Sequence, residues 1–351
     1  MEIVKKSSPH LRRPNARVVR MMRDVTIALL PLVIFAIINH GFNALFILLA
    51  AVLSMVATEY VYYQIQDLKE GNGFTFKNKQ WSIYNFSVVT SGLIYGLTLP
   101  DKTPITVVII GGVVGVFLAK LIFGGMGQNI FNVAAFARVF VVLSFGASVG
   151  YTQFVDASAG ATALGILNRN IADASVTGSY SLMTMFTGIG LPGSLGETSA
   201  MLILVGGIYL LLRRSFDIVV PLTYIGTVFV LSTVVMLTLG LGFWYPMTHL
   251  LSGGLLFGAV FMATDPITSP VTRPGRIYFA FGIGVITFFI RLFGNLPEGV
   301  VFAILIMNMF VPAIDYPKWA HQTFNLKRIS IFAVVCILTI IITIVGVNYV
   351  G

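Results

Sequence analysis

Apolar positions in this chain fall into long unbroken runs, with no strand-like alternation. Five runs occupy residues 25–40, 43–64, 82–99, 104–123 and 129–149, and five more occupy 199–212, 216–240, 247–264, 276–294 and 298–315. An eleventh fills 329–349. Each is bounded by turn residues or charge. Hydrocarbon offers the backbone no water, so a run of this kind spans a membrane only by satisfying its own N–H and C=O groups as an α-helix. Several runs fall short of the roughly 20 residues that a full crossing needs, which predicts broken or re-entrant helices. The interval 150–198 is the one long non-apolar break, and it divides the chain five runs from five.

The two halves also resemble each other. F-L-A-K-L-I-F-G-G-M-G-Q-N, residues 117–129, aligns with F-F-I-R-L-F-G-N-L-P-E-G, residues 288–299, once one gap is allowed. Phe117 then matches Phe288, Lys120 matches Arg291 and Gly124 matches Gly294. Upstream, S-G-L-I-Y-G at Ser91 parallels S-G-G-L-L-F-G at Ser252. An odd number of spans per half turns the second half over relative to the first. The predicted fold is therefore an all-α polytopic membrane protein of two inverted five-helix repeats plus one extra C-terminal transmembrane helix. Its parts are a basic N-terminus (1–24), a first repeat (25–149), an outer loop (150–198), a second repeat (199–316), and a linker with the extra helix (317–351). Lys120 is expected at an inner helix end and Arg291 at an outer one.

Composition adds to this picture. The chain is 57% hydrophobic and 10% charged, against about 25% charged in a soluble domain. A net charge of +9 would suit nucleic acid if it formed one patch, but Lys and Arg sit in short clusters between apolar runs and act as topology signals. The partner they indicate is membrane lipid and no nucleic acid. With the basic N-terminus inside, Lys69, Lys77 and Lys79, then Arg213 and Arg214, Arg273 and Arg276, and Lys318, Lys327 and Arg328 all fall on the inner side. The outer interval 150–198 holds Asp156, Asp173 and Glu197 against a single Arg169. No cleavable leader is expected, and the lone Cys336 lies within the last apolar run, so this chain alone supplies no disulfide or cysteine-rich metal site.

Candidate chemistry lies at the junctions between runs. G-G-M-G-Q-N-I-F-N, residues 124–132, leaves backbone groups without helical partners, and with Asn129 and Asn132 it can meet a phosphate, a polar ring edge or sodium, or simply turn at the membrane surface. Arg138 lies inside the fifth run, where a charge is costly and marks a functional candidate or a structural ion pair. T-D-P-I-T-S-P-V-T-R-P-G-R, residues 264–276, stops a helix with Pro266 and Pro270. There Thr264, Asp265, Thr268, Ser269 and Thr272 present oxygens suited to a hard cation or a flavin or quinone ring edge. Glu298 and Asp315 are further carboxylates. D-A-S-A-G-A-T-A-L, residues 156–164, is a small-residue loop that leaves the Thr162 hydroxyl accessible. G-I-G-L-P-G, residues 188–193, spells a dinucleotide fingerprint but contains Pro192 and follows no strand, which excludes a Rossmann turn.

The stretch ending at Thr162 resembles the flavin-attachment motif of the Rnf complex D subunit and of its relative in the sodium-translocating NADH:quinone reductase, the B subunit. G-G-M-G-Q-N-I-F-N, G-S-L-G-E-T-S (193–199), T-D-P-I-T-S and F-G-N-L-P-E-G-V-V-F-A are similar to blocks of the same family, in the family's order and up to about residue 316. The chain departs from the pattern at Ala159, where the family usually has a hydroxyl, at Ala163, where proline is common, in a compact outer loop and in the extra C-terminal helix.

The resemblance implies a membrane subunit of a bacterial or archaeal ion-translocating complex in the cytoplasmic membrane. Such a complex passes electrons between ferredoxin and NAD while sodium or protons cross, and other membrane and peripheral subunits supply the NADH and ferredoxin sites. It further implies FMN held by a phosphoester to Thr162, with Asp156, Gly160 and Ala161 in the attachment motif, and a second, noncovalent riboflavin. Asn129, Asn132 and Arg138, with Thr264, Asp265 and Thr268, are its flavin-pocket candidates. A quinone-reducing sister complex, a stand-alone flavin electron carrier and a small-solute channel are the alternatives.

Overall fold

The computed structural model describes residues 16–71, 82–125, 127–146, 181–191, 193–252, 254–294, 299–316 and 326–350. Among these residues the regular structure is entirely helical. α1 (Ala16–His40) and α2 (Phe42–Lys69) form a hairpin turned by Gly41, whose φ of 68° suits a residue without Cβ. A 3-10 turn (Ser82–Asn85) leads into α3 (Ser87–Leu97). α4 (Ile105–Val116) ends in a π turn (Phe117–Leu121), and α5 (Val133–Phe145) follows.

The short α6 (Leu182–Thr187) precedes α7 (Ala200–Leu212) and α8 (Val219–Leu239). α9 (Trp244–Leu251) and α10 (Leu255–Phe257, continued by a π turn over Gly258–Met262) come next. α11 (Arg273–Phe293), α12 (Val300–Ile314) and α13 (Leu326–Val350) complete the chain.

Among the described residues, each predicted apolar run is mainly helical. Five helices, α1, α2, α8, α11 and α13, are long and apolar enough to cross a membrane alone. The run 247–264 is no single rod: α9 and α10 meet at 55° across a break, with Gly254 at φ 68°. α3, α4, α5, α7 and α12 are shorter apolar helices. The first helix begins upstream of the predicted residue 25, so Arg20, Arg23 and Asp24 are helical.

Packing follows one scheme in both halves. α2 lies against α3 and α4, and α8 lies against α9 and α11, while α1 touches α7 and α5 touches α12. Glycines permit close approach at two helix pairs. A Cβ on Gly115 would stand 2.6 Å from the Ala137 Cβ, which lets α4 and α5 pack backbone to backbone. One on Gly284 would stand 2.7 Å from the Thr227 Cβ, where α11 crosses α8. Without a hydrophobic drive between helices in lipid, such small-residue contacts carry much of the dispersion energy that holds them together. α13 stays outside the bundle, with Phe332 on the rings of Tyr278 and Phe281 and Gly346 against Phe293.

Candidate functional site

Two helix breaks face each other across the bundle. On one side, the π turn after α4 runs into a loop with Gly124, Gly125 and Gly127 at φ 110°, 92° and 89°. These are conformations that favour residues without Cβ. The loop ends at Asn132, which caps α5 by accepting the Ala135 N–H at 3.1 Å. On the other side, the π turn after α10 opens into Thr264–Ser269, and Thr272 caps α11 by accepting the Gly275 N–H at 3.2 Å.

The two breaks are tied together by amides. Asn132 Nδ2 donates to the Met262 carbonyl at 3.2 Å, and the Asn132 N–H donates to Asn308 Oδ1 at 3.1 Å. Asn308, on α12, then donates through Nδ2 to the Thr268 carbonyl at 2.9 Å. Backbone groups freed by both breaks thus find partners inside the protein, as non-helical backbone shielded from water requires. Asn129 closes its own turn onto the Phe131 carbonyl at 3.2 Å.

Charge gathers at the same level. Lys120 Nζ lies 3.3 Å from Glu59 Oε1, with side-chain exposures of 4% and 0%. Lys120 is therefore the buried half of an ion pair with α2, a partner that the sequence pattern did not name. Asp265 accepts from the Ile267 N–H at 3.3 Å and from the Thr268 hydroxyl at 3.1 Å. In this loop between helices, burial pushes its carboxyl up from the ordinary carboxylate range, opposed by those two hydrogen bonds and by the positive charge of Lys120. A cavity of about 60 Å³ lies between, lined by Lys120, Asn129, Asn132, Thr264 and Asp265 together with Ser87, Thr90 and Phe261.

The candidate residues divide into two groups. Asn129, Asn132, Thr264 and Asp265 share the cavity, and Thr268 joins them through Asp265 and Asn308. Arg138 stands apart: fully buried, six residues along α5 from Asn132 and so about 9 Å up the helix axis, it reaches Ser194 Oγ at 3.4 Å. Ser194 belongs to the G-S-L-G-E-T-S segment, which rests on the end of α3 through Leu195 N–H to Leu99 O (3.0 Å) and Gly196 N–H to Leu97 O (2.7 Å). Asp156, Gly160, Ala161, Thr162 and Glu298 lie outside the described residues. Asp315, just after α12, accepts the Val271 N–H at 2.9 Å, tying that helix end to the turn before α11.

Arg291, aligned by sequence with Lys120, is also buried, yet it does different work. Its guanidinium donates to the His249 carbonyl at 2.7 Å and the Ser252 carbonyl at 3.1 Å, capping the carbonyls that the α9–α10 break exposes.

Glu59, Asn308 and Asp24 escaped the sequence argument. Glu59 and Asn308 are polar residues within apolar helical runs, a signal that intramembrane polarity should have raised, and Asp24 sits at the edge of one, beside Arg23. Asp24 is buried and holds three groups, Ser215 Oγ at 2.6 Å, Arg213 at 3.3 Å and Arg20 at 3.8 Å. It pins the α7–α8 turn to α1.

Comparison with known proteins extends these observations. The sequence profile described as the NQR2, RnfD, RnfE family matches residues 4–325. The chain is 36% identical over 326 residues to the D subunit of the proton-translocating ferredoxin:NAD(+) oxidoreductase complex of Clostridium ljungdahlii, covering 88% of this chain and 92% of that one. It is 36% identical over 314 residues to the D subunit of the Na(+)-translocating ferredoxin:NAD(+) oxidoreductase complex of Acetobacterium woodii, with 88% and 91% covered. Identity to the B subunit of the Na(+)-translocating NADH-quinone reductase of Chromohalobacter salexigens is 37% over 256 residues, covering 69% of this chain and 60% of the relative.

Proposed function

We propose, since the chain belongs to the NQR2, RnfD, RnfE family, that it is the D-type membrane component of an ion-translocating ferredoxin:NAD oxidoreductase complex. The observation that carries this reading is 36% identity over nearly the full length of two such D subunits. The quinone-reductase relative matches over a smaller share of its own length, which favours the ferredoxin-linked complex. The protein acts with partners that bring ferredoxin and NAD and is not catalytic alone. The matching contact schemes of the two halves support the inverted-repeat architecture.

The FMN phosphoester belongs at Thr162, within D-A-S-A-G-A-T-A-L. When bound, FMN supplies one- and two-electron chemistry, and the protein's part is to hold it, exclude water and tune its surroundings. The cavity between the two breaks, at about 60 Å³, is smaller than the roughly 150 Å³ that an engineered cavity offers benzene. Water or a small cation fits. Oxygens from Thr264, Asp265, Asn129 and Asn132 are hard ligands of the kind sodium takes, and Asp265, Lys120 and Glu59 can equally bind and pass protons. The cavity is thus the ion compartment of this chain, set where the two halves meet.

Denaturing gel electrophoresis of the protein, co-expressed with its flavin transferase, tests the anchor. Under ultraviolet light the wild type fluoresces and Thr162→Ala does not; a dark wild-type band refutes covalent attachment and points to Ala159 as the break in the motif. NAD reduction by reduced ferredoxin in inverted vesicles containing the whole complex, with and without sodium, separates the ferredoxin from the quinone assignment and sodium from protons.

A further inference from the structure

The turn between α7 and α8 carries an arginine in a backbone state that ordinarily selects glycine. Arg214 has φ 55°. The Arg214 N–H bonds to Leu211 O at 3.0 Å and the Ser215 N–H to Leu210 O at 3.0 Å, the two bonds of a Schellman helix end whose left-handed position is usually Gly. Retaining a bulky cation there strains the backbone. Among the described residues the Arg214 side chain has no hydrogen-bond or carboxylate partner, and it lines a cleft of about 460 Å³.

That cleft has two characters. Arg214 and Arg276 supply cations and Ser215, Ser269 and Thr264 supply hydroxyls, while Met21, Leu211, Phe216, Ile218 and Pro266 make the rest apolar. Among the described residues that line it, the one carboxylate, Asp217, is already bound by the Arg276 guanidinium, which also donates to the Pro270 carbonyl at 3.0 Å. Arg214 is left as the unneutralised charge. The apolar wall continues outward on exposed side chains, Leu211 and Leu212 before the turn and Ile218 and Leu222 after it, a surface suited to acyl chains.

We propose that this cleft binds an anionic phospholipid of the leaflet on the arginine-bearing side, its phosphodiester on Arg214 and its chains along Leu211, Ile218 and Leu222. An arginine beside a phosphate gives a charge-assisted hydrogen bond, and basic pockets between transmembrane helices are suited to such headgroups. The proposal is independent of the redox assignment, because it rests on the cleft, on Arg214 and on the exposed apolar side chains beside it.

Native mass spectrometry of the purified full chain tests it, with titrations of phosphatidylglycerol, phosphatidylcholine of matched chains, and inorganic phosphate. Wild type should retain phosphatidylglycerol about tenfold more tightly than phosphatidylcholine, the scale of one charge-assisted contact. Arg214→Gly removes the guanidinium and places at 214 the residue its backbone favours, so it keeps the fold and should lose most of that preference. Arg214→Lys should keep the larger part. Equal phosphatidylglycerol retention by wild type and Arg214→Gly overturns the proposal. Displacement of the lipid by millimolar inorganic phosphate overturns the lipid assignment in favour of a free anion.

Discussion

Breaking the Lys120–Glu59 pair gives the sharpest energetic test of the site. At the observed 3.3 Å separation and an effective dielectric of about 20, the two charges attract by about 5 kcal/mol. Most of that offsets the desolvation of two ions, so the intact pair adds little net stability. Removing one partner is a different matter, because the other charge stays buried and loses this ion pair. Lys120→Met should therefore cost about 3–5 kcal/mol. Glu59→Gln should cost somewhat less, since Asp265 still attracts Lys120. The double variant leaves two neutral side chains of similar volume and should fall within about 1–2 kcal/mol of wild type, which with the single costs above makes a coupling of roughly 5 kcal/mol. Equilibrium unfolding in mixed detergent micelles, run on all four proteins, yields the cycle. A double variant as unstable as the sum of the single ones would refute the pairing.

Further outcomes follow from the packing. Asn308→Leu removes the acceptor for the Asn132 N–H and the donor to Thr268 O. It should destabilise by about 2–3 kcal/mol, more than Asn308→Asp, which keeps the acceptor, as thermal unfolding in detergent will show. Gly115→Val drives methyl groups into Ala137 and should cost about 2 kcal/mol or more, whereas Gly226→Ala, with nothing within 4 Å, should be neutral or slightly stabilising by the same measurement. Asp265→Asn should flatten the pH dependence of stability. A carboxyl raised by burial binds its proton more tightly folded than unfolded, so wild type loses stability as pH rises from the unfolded value of 3.8 through the higher folded one. Unfolding profiles of the two proteins across that window decide it.

Sequence by itself determined the class of the protein. Hydrocarbon forbids unpaired backbone, so runs of apolar residues had to be helical, and among the described residues each of the eleven runs is mainly helix. Breaks were legible too, because Pro266 and Pro270 lack the N–H that a helix bonds, and the cluster of glycines around Gly124 favours backbone conformations outside the helix. Tertiary structure decided which polar residues meet. Lys120 and Glu59 are 61 positions apart in the chain, and Asn132 and Asn308 are 176 apart, separations over which no local periodicity carries information. The repeat alignment equated Lys120 with Arg291, yet Lys120 meets Glu59 on α2 while Arg291 donates to the carbonyls of His249 and Ser252 at the α9–α10 break. The helix facing each of them presents different groups, and only the folded chain specifies those. Arg138 and Asn132, close in sequence, meet different neighbours along α5 for the same reason: a helix advances 1.5 Å per residue, and a few residues carry a side chain from one neighbour to the next.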